Sequence, residues 1–546
     1  MRFLKSELTL GILFEYRQKI INNLIYKIDA DVHANTYTVR ENDDMYAEPE
    51  FTGKYLDLCM KMYRTYKNET ALANAKKVVG SIVKNQRADG FLGCLPEGKE
   101  TVNFSVWNQA FTVLGLVSYY NETGDKKALE AADKCVCYIM DYFMDGKADI
   151  LDALNGGTQH ISILYFICLL YKTTKNEKYK KYILFIVDII KKSDLNFFDF
   201  EDILELRTRK GIENFVILLG ILEYADIFQD KDAILSVEKY WQQVADTQIR
   251  NTGNGTLTEF WTENGGGCMI LGPDVKANET CVAVGWIQLS LALFYLKQDV
   301  KYLDQIDKSL YNHMLASIAE DGSDFAYYQP NYGKKIKTKE VDLYKCCRYR
   351  GFTLFSYMDE MLYYEDEKFL IPMLYTSNRY CSENVAVTME TNFPFEDTIK
   401  LTALAQNEKV LKLRVPKNCA VTKFAINGNK QKFEITEGYI LVELYKDIPV
   451  QVEMVLEKQL SIEYGKINDT EYVAFTYGCV LLAAREVDDH TKIDKINLCL
   501  EKSNANYNSK IACTISGVNY CDYASADDYS VWMPLIPQNE KENALL

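Results

Sequence analysis

The sequence predicts an α+β protein in which a helical half is followed by an antiparallel β-sandwich. Up to about residue 365, apolar residues recur at three- and four-residue steps, which is typical of amphipathic helices. From residue 366 onward the segments are short and alternate between apolar and polar residues, which is typical of strands. No linker-like segment separates the halves, so we expect two tightly packed domains, residues 1–365 and 366–546.

The helical half contains paired segments that return after roughly 40 to 60 residues, a period typical of an α-solenoid or a closed α/α toroid. Polar turns such as KNET and TGDK precede new helices. The helical period is clearest in four segments: ALANAKKVVGSIVKNQ, KKALEAADKCVCYIMDYF, EKYKKYILFIVDIIKK and VKYLDQIDKSLYNHMLASI. Glycine- and aromatic-rich loops, among them ADGFLGCLPEG, LNGGTQH and TENGGGCMILGP, lie between the pairs. We expect these loops to gather at one end and form a pocket.

The second half is rich in β-branched and aromatic residues. Its predicted strands lie in LIPMLYTSN, NVAVTMETN, VLKLRVP, YILVELY, VQVEMVLE and EYVAFTYGCVLLA. Turns of the NGN, EG and KD type separate several of them. The pattern predicts a sandwich of about 180 residues, with an irregular strand pair around ISGVNY and VWMPL at its end.

Composition excludes several classes of partner. The chain of 546 residues carries a net charge of −15 and has no Lys/Arg-rich run, whereas nucleic acids and anionic membranes require a basic surface. The N-terminal segment MRFLKSELTLGILFEYRQ lacks the features of a signal peptide. No apolar run approaches the roughly 18 residues of a membrane span. We therefore expect a cytoplasmic protein with a substrate whose recognition does not depend on charge.

The cysteines contain one unusual grouping. Fifteen cysteines are dispersed along the chain, and most are expected to be free, buried thiols. Cys346 and Cys347, however, are adjacent, and neighbouring cysteines do not readily form a disulfide with each other. Together with Glu279 and Cys281 of the NETC segment, they offer three thiols and one carboxylate. Two interpretations stay open: buried packing, or a tetrahedral zinc site, since zinc accepts sulfur and oxygen ligands.

Carboxylates and thiols are the groups most available for chemistry. The chain has only four histidines, so a Ser/His/Asp triad or a multi-histidine metal site is hard to assemble. Glu259 in GTLTEFW and Glu263 in TENGGG are candidate general acids, with a solvated loop carboxylate as the alternative for either. Tyr327 and Tyr328 in FAYYQPNYG have amphipathic rings that suit the faces and hydroxyls of sugars.

The order of motifs resembles the β-L-arabinofuranosidase family, glycoside hydrolase family 127 (GH127). The resemblance rests on EPEFTGKYLDL, DGFLGCLP, VWNQAFTVLGLVSYYNETGDKKALEAA, GTLTEFW, NETCVAVGWIQLSLAL, LYNHMLASIAEDGSDFAYYQP and KCCRYRGFTLF, and in the β half on KLRVP and AINGN. It covers most of the chain. It implies an (α/α)6 barrel over residues 1–365 and β-sandwich modules over residues 366–546.

The resemblance also implies a retaining glycosidase that releases L-arabinofuranose or a related sugar. Its implied zinc ligands are Glu279, Cys281, Cys346 and Cys347. Cys346 would be the nucleophile and Glu259 the acid/base, with Glu263 as the alternative. In such a scheme the thiolate attacks the anomeric carbon, and the carboxyl group first donates a proton and then activates water.

Sugar-binding candidates and departures from the family pattern leave the exact sugar open. The candidates are Glu50, Trp107, Gln109, His160 and Tyr328; a structural role is an equal alternative for His160. Asn108 and Gln109 follow Trp107 where many relatives carry a histidine. Arg348 and Arg350 follow the cysteine pair where many relatives carry small residues.

Two other functions are considered. A catalytically inactive toroid that binds glycans or proteins would also fit the fold. A polysaccharide lyase fits poorly, because an acidic chain with few histidines lacks the groups needed to bind and deprotonate a uronate. The expected partner is a small carbohydrate, with neither nucleic acid nor membrane, and a homodimer is one assembly left open.

Overall fold

Twelve helices within the described residues build the N-terminal half as two concentric rings. The computed structural model describes residues 5–37, 48–263, 265, 269, 272, 275–336, 346–488, 490–495, 498–502 and 509–536. In chain order the helices are α1 (Ile12–Lys27), α2 (Glu48–Tyr66), α3 (Glu69–Asn85), α4 (Ser105–Thr123), α5 (Lys126–Met144), α6 (Ile163–Thr174), α7 (Lys178–Lys192), α8 (Gly211–Phe228), α9 (Lys231–Thr247), α10 (Thr280–Lys297), α11 (Val300–Lys308) and α12 (Cys346–Ser356). Even-numbered helices form the inner ring, in which each packs on the next and α12 packs on α2. Each odd-numbered helix after α1 covers the inner helix before it, and α1 covers α12, so the predicted (α/α)6 barrel is confirmed.

The outer and inner helices differ in how apolar residues are distributed around the helix axis. Outer helix α3 buries Ala71, Ala75, Val78, Val79 and Ile82, a single stripe at helical spacing. Inner helix α10 is apolar all round, because its neighbours cover every face. Shorter helical segments lie at Ala30–Ala34, Leu154–Gly157, Thr158–Ile161, Ser309–Met314, Leu315–Ser317, Met358–Met361 and Tyr523–Ser525.

Tight turns join each inner helix to the outer helix that follows. Four of these turns contain two residues, a left-handed residue that ends the inner helix and an Asn or Asp that caps the outer one: Lys67–Asn68, Gly124–Asp125, Gln229–Asp230 and Gln298–Asp299. Each cap side chain accepts a backbone N–H of the first turn, an interaction worth about 1 kcal/mol. The predicted polar turns are therefore helix caps.

The β half begins with two sheets. The predicted strands are present; for example, Val385–Thr391 alternates buried and exposed residues. The larger sheet runs Lys5–Leu8, Asn378–Cys381, Val385–Thr391, Thr398–Ala405, Pro449–Lys458, Cys419–Ile426, Asn429–Lys430, all antiparallel. The smaller sheet runs Tyr439–Leu444, Lys409–Arg414, Phe369–Pro372, Tyr363–Glu365, with one parallel pair at its centre.

A third sheet completes the chain. Its main path is Leu460–Ile467, Thr470–Tyr477, Val480–Ala484, Val518–Asp522, Ala512–Ile515, Leu500–Lys502, and Tyr332–Lys334, Asp528–Ser530 and Met533–Pro534 join it at the side. Segments of the helical half thus enter both large sheets, since Lys5–Leu8 pairs with Asn378–Cys381 and Tyr332–Lys334 pairs with Asp528–Ser530. The two halves are interleaved as well as packed.

Helix α10 is the one helix in the described part of the chain whose length and apolar composition would match a membrane span. Its apolar window is 67% buried inside the protein. Burial in the inner ring accounts for its composition, because the neighbouring helices cover α10 over all but its last turn.

A buried ion pair connects the barrel to the sandwich. Arg414, at the end of a strand in the smaller sheet, donates to Asp307 of α11, and both side chains are almost completely buried. The guanidinium also lies 5.0 Å from the ring centre of Tyr375. Removing one partner of such a pair leaves an uncompensated buried charge, which is more costly than removing both.

We expect Arg414→Met to lower the free energy of unfolding by about 3–5 kcal/mol. The double variant Arg414→Met/Asp307→Leu is expected to recover part of that loss. Denaturant unfolding followed by circular dichroism measures both. Lys423→Met is the control, because Lys423 pairs with Glu453 on the surface and its loss is expected to change stability by less than about 1 kcal/mol. Equal effects of the two single variants would contradict a special role for the buried pair.

Candidate active site

The long connections of the barrel lie at the end where the inner helices begin. Turns from inner to outer helices are tight, whereas the connections that lead into α4, α8, α10 and α12 are long. Since the inner helices run in the same direction, their N-terminal ends and these loops share one face. The functional candidates Glu259, Glu279 and Cys346 all belong to this face.

Two neighbouring inner helices bring the thiol–carboxylate cluster together. Glu279 precedes α10 and Cys281 lies in its first turn, while Cys346 and Cys347 open α12. The Sγ atoms of Cys281 and Cys346 are 3.3 Å apart, and those of Cys346 and Cys347 are 4.0 Å apart. Cys347 Sγ lies 3.7 Å from Glu279 Oε1. The four ligand atoms all lie within 4.8 Å of one another.

Backbone contacts fix the position of Glu279. Asn254 donates its side-chain amide to the Glu279 carbonyl at 2.6 Å, and the Glu279 N–H donates to Thr256 Oγ1 at 3.2 Å. Glu279 also forms an isolated β-bridge with Tyr328. The NETC segment is therefore held between the loop that contains Glu259 and the segment that contains Tyr327 and Tyr328.

This cluster has the geometry and donor types of a metal site. A zinc–sulfur bond of about 2.3 Å in a tetrahedron gives sulfur–sulfur distances of about 3.8 Å, which the two observed distances bracket. Glu279 Oε2 is buried and accepts no hydrogen bond, so one carboxylate oxygen is free to act as a ligand. Among the described residues, this group of four could hold a metal ion.

The four groups differ in the direction of their pKa shifts. Burial raises the pKa values of Glu279, Cys281 and Cys347 well above their usual range. Cys346 is the exception. The neighbouring thiols of Cys281 and Cys347 stabilise its thiolate, with help from the Lys54 ammonium, so its pKa is well below the usual value. The surroundings therefore favour the thiolate form at Cys346 over the thiolate forms of Cys281 and Cys347.

Glu259 lies beside this sulfur. Its Oε1 accepts the hydroxyls of Tyr327 at 2.6 Å and Tyr328 at 3.1 Å, and its Oε2 accepts the ammonium of Lys210 at 2.9 Å. The Tyr327 hydroxyl is also 3.5 Å from Cys346 Sγ, so the sulfur and the carboxylate oxygen lie at most about 6 Å apart. Glu259 has a φ of 77°, in the left-handed region that non-glycine residues adopt only in a minority of positions.

Glu263 has a different environment. Its side chain is exposed and lines a surface depression with Asp202, Glu205 and Arg209. Most of the glycine-rich loop that follows it, at 264, 266–268, 270–271 and 273–274, lies outside the described residues.

Lys210 and Glu213 were not predicted from the sequence. Lys210 donates to Glu259 and lies 3.6 Å from Glu213 Oε1. Glu213 also accepts the amides of Asn155 at 2.8 Å and Gln159 at 3.4 Å. Burial opposes the charge of Lys210, but the Glu213 and Glu259 carboxylates outweigh it and raise its pKa. One sequence signal could have identified Glu213 as a functional candidate: it is an acidic residue inside the apolar run GIENFVILLG.

Three of the predicted sugar-binding residues lie near the cluster. Tyr328 donates to Glu259. Glu50 is buried and paired with Lys54, whose ammonium interacts electrostatically with Cys281 and Cys346. Trp107 packs edge-on against Phe111, and the Phe111 ring lies 4.5 Å from the Lys54 ammonium.

Gln109 and His160 instead contact the surrounding framework. The Gln109 side chain lies 3.4 Å from the Leu92 amide and 3.6 Å from Cys135 Sγ on outer helix α5. His160 Nδ1 is 3.0 Å from the Ile150 carbonyl and Nε2 is 3.2 Å from the Thr101 carbonyl. Burial lowers the pKa of His160 to about 4, so the ring is neutral at neutral pH and donates to only one of them. Sugar binding by either residue stays a prediction.

Comparison with known proteins connects this arrangement to one family. The β-L-arabinofuranosidase GH127 catalytic domain matches residues 11–360, and the GH127 middle domain matches residues 370–457. The chain is 22% identical over 488 residues to the non-reducing end β-L-arabinofuranosidase of Bifidobacterium longum subsp. longum, covering 76% of this chain and 71% of that protein.

Solved structures share the fold. A GH127 β-L-arabinofuranosidase from Geobacillus stearothermophilus T6 aligns over 97% of this chain and 100% of its own, with a TM-score of 0.74 and 17% identity. A second GH127 β-arabinofuranosidase aligns over 97% of this chain and 96% of its own, with a TM-score of 0.76 and 17% identity.

We expect the cluster to bind Co²⁺ through thiolates. Addition of Co²⁺ to reduced, metal-free protein should produce thiolate-to-cobalt charge-transfer absorption, and Cys347→Ser should weaken it, because one sulfur ligand is lost. Cys168→Ser is the matched control, since Cys168 is equally buried but lies outside the cluster. An identical spectrum for the Cys347 variant would show that the cobalt binds elsewhere.

We expect iodoacetamide to alkylate Cys346 before its neighbours in metal-free protein. The thiolate is the reactive form, so a lowered pKa keeps Cys346 reactive as the pH falls below about 8.5, where ordinary thiols become protonated. Raised pKa values keep Cys281 and Cys347 protonated in the same range. Peptide mass spectrometry after brief labelling at several pH values measures this. Faster labelling of Cys347 than of Cys346 would contradict the assigned directions.

Proposed function

Because the chain belongs to the GH127 β-L-arabinofuranosidase family, we propose that it is a retaining hydrolase that releases L-arabinofuranose or a closely related sugar. Family membership makes it a glycoside hydrolase with a carbohydrate substrate. We assign Cys346 as the nucleophile and Glu259 as the acid/base. The observation that carries this proposal is the Tyr327 hydroxyl, which contacts both the Cys346 sulfur and the Glu259 carboxylate.

We assign the metal as zinc, with Glu279, Cys281, Cys346 and Cys347 as its ligands. When bound, zinc would supply the positive charge that keeps buried thiolates ionised at neutral pH. The protein contributes further to the ionisation of Cys346. This residue opens α12, where the helix N-terminus favours negative charge, and Lys54 adds a buried ammonium.

In the first step, the Cys346 sulfur attacks the anomeric carbon of the sugar. The bond between that carbon and the glycosidic oxygen breaks, and protonated Glu259 donates its proton to the leaving oxygen. The separation of at most about 6 Å between the two groups fits a retaining enzyme, in which the two catalytic groups lie about 5–5.5 Å apart. A separation of this size is shorter than the roughly 6.5–9.5 Å at which an inverting enzyme leaves room for a water molecule.

In the second step, the ionised Glu259 removes a proton from water. The resulting oxygen nucleophile attacks the anomeric carbon and displaces the Cys346 sulfur, which restores the original configuration of the sugar. Tyr327, Tyr328 and Lys210 all donate to Glu259 in the structure, which is the arrangement that its ionised form requires. These three residues orient the carboxylate and we propose them as positioning residues.

We expect Cys346→Ala to abolish hydrolysis of aryl and alkyl β-L-arabinofuranosides. Glu259→Gln should lower kcat by roughly 10²–10⁴-fold on alkyl substrates, which need protonation of the leaving group. Azide requires no general base, so it should restore turnover of an aryl substrate by Glu259→Gln but not by Cys346→Ala. Steady-state kinetics and the configuration of the azide product measure these effects.

Glu263→Gln is the matched control and is expected to keep wild-type kinetics. Loss of activity in this variant with retention in Glu259→Gln would move the acid/base role to Glu263. Wild-type turnover by Cys346→Ala would contradict the cysteine mechanism, and the absence of zinc in elemental analysis of reduced, purified protein would contradict the metal assignment.

A further inference from the structure

A polar cavity lies on the barrel axis, beneath the thiol–carboxylate cluster. Residues of all six inner helices line it, among them Lys54, Asp57 and Lys61 of α2, Gln288 of α10 and Arg350 of α12. Arg350 follows Cys346 by four residues, so it lies about one helical turn, ~5.4 Å, deeper on the same face of α12. The cavity measures about 60 Å³, and a water molecule needs only about 10–15 Å³.

Two of the three cationic side chains in this cavity have carboxylate partners. Lys54 pairs with Glu50, and Lys61 pairs with Asp57. The second oxygen of Asp57 accepts the hydroxyl of Ser118 at 2.7 Å. Both carboxylates are thus engaged by other groups, and the two lysine charges are compensated.

Arg350 is the third cation, and among the described residues it forms no ion pair. Its side chain is only 9% exposed. Nη2 donates to the neutral amide oxygen of Gln288 at 2.9 Å, and Nε is buried without an acceptor. A guanidinium stays charged in proteins, so Arg350 introduces a buried positive charge that pairs directly with no carboxylate among the described residues.

Arg348, on the same helix, has a carboxylate near its guanidinium, unlike Arg350. It is two residues away and also buried, but its guanidinium lies 3.8 Å from the Asp324 carboxylate and donates to the Ser323 carbonyl at 3.1 Å. The contrast makes Arg348 a matched reference for Arg350.

We propose that the axial cavity binds a small monovalent anion, such as chloride, as the counter-ion of Arg350. Water in the cavity would satisfy the hydrogen-bonding capacity of Nε but would leave the guanidinium without an ion-pair partner, and a buried charge without such a partner is destabilising. The cavity is large enough for one such ion with water. The bound anion, Arg350 and Gln288 together connect α12 to α10, the two helices that carry the thiol–carboxylate cluster.

Thermal unfolding in different sodium salts at constant ionic strength tests this proposal. Chloride or bromide, replacing the larger gluconate, should raise the Tm of the wild type in a saturable manner, because a ligand that binds only the folded state stabilises it. Arg350→Gln should abolish the difference between salts, whereas Arg348→Gln should preserve it even if its Tm is lower. A wild-type Tm that is the same in all three salts, or a chloride effect that persists in Arg350→Gln, would overturn the proposal.

Anomalous diffraction from wild-type crystals grown in bromide supports or overturns the proposal independently of any variant. A bromide peak in the cavity beside the Arg350 guanidinium is the expected result. A cavity that contains only water at bromide concentrations that saturate the Tm effect would overturn it. Metal content measured in the same samples separates this effect from a change in the thiol–carboxylate cluster.

Discussion

Tight turns between inner and outer helices force every long connection of the barrel to the opposite end. A left-handed residue followed by an Asn or Asp cap ends one helix and begins the next within two residues. Because the inner helices run in the same direction and close into a ring, their N-terminal ends converge on the barrel axis. Residues far apart in sequence, such as Cys281 and Cys346, thereby meet within hydrogen-bonding distance.

Charge is unusually concentrated inside this ring for an interior built from apolar helices. Lys210 lies between Glu213 and Glu259, Lys54 lies between Glu50 and the cysteines, and Arg350 lies below them. Buried charges are retained only where they are paired or where function needs them. The barrel therefore separates two tasks: apolar faces between helices hold the ring together, and the axis holds the candidate catalytic and metal-binding groups.

Periodicity in the sequence was sufficient to predict the outer helices and the sandwich strands, because their exposed faces make the pattern visible. The adjacent cysteines, the NETC segment and the family resemblance were sufficient to bring Glu279, Cys281, Cys346 and Cys347 into one hypothesis. Lys210 and Glu213 could not be predicted in the same way. Their significance depends on contacts with Glu259, which the chain places about fifty residues later and only the folded ring brings close.

The long-range packing of α1 on α12 and of α12 on α2 has a consequence for synthesis of the protein. Helix α1 packs on α12, and strand Lys5–Leu8 pairs with Asn378–Cys381, so both elements are synthesised more than 300 residues before their partners. Domains that depend on such distant contacts fold slowly and expose apolar surface meanwhile. The inner ring cannot close until α12 has been synthesised, because α12 packs on both α10 and α2.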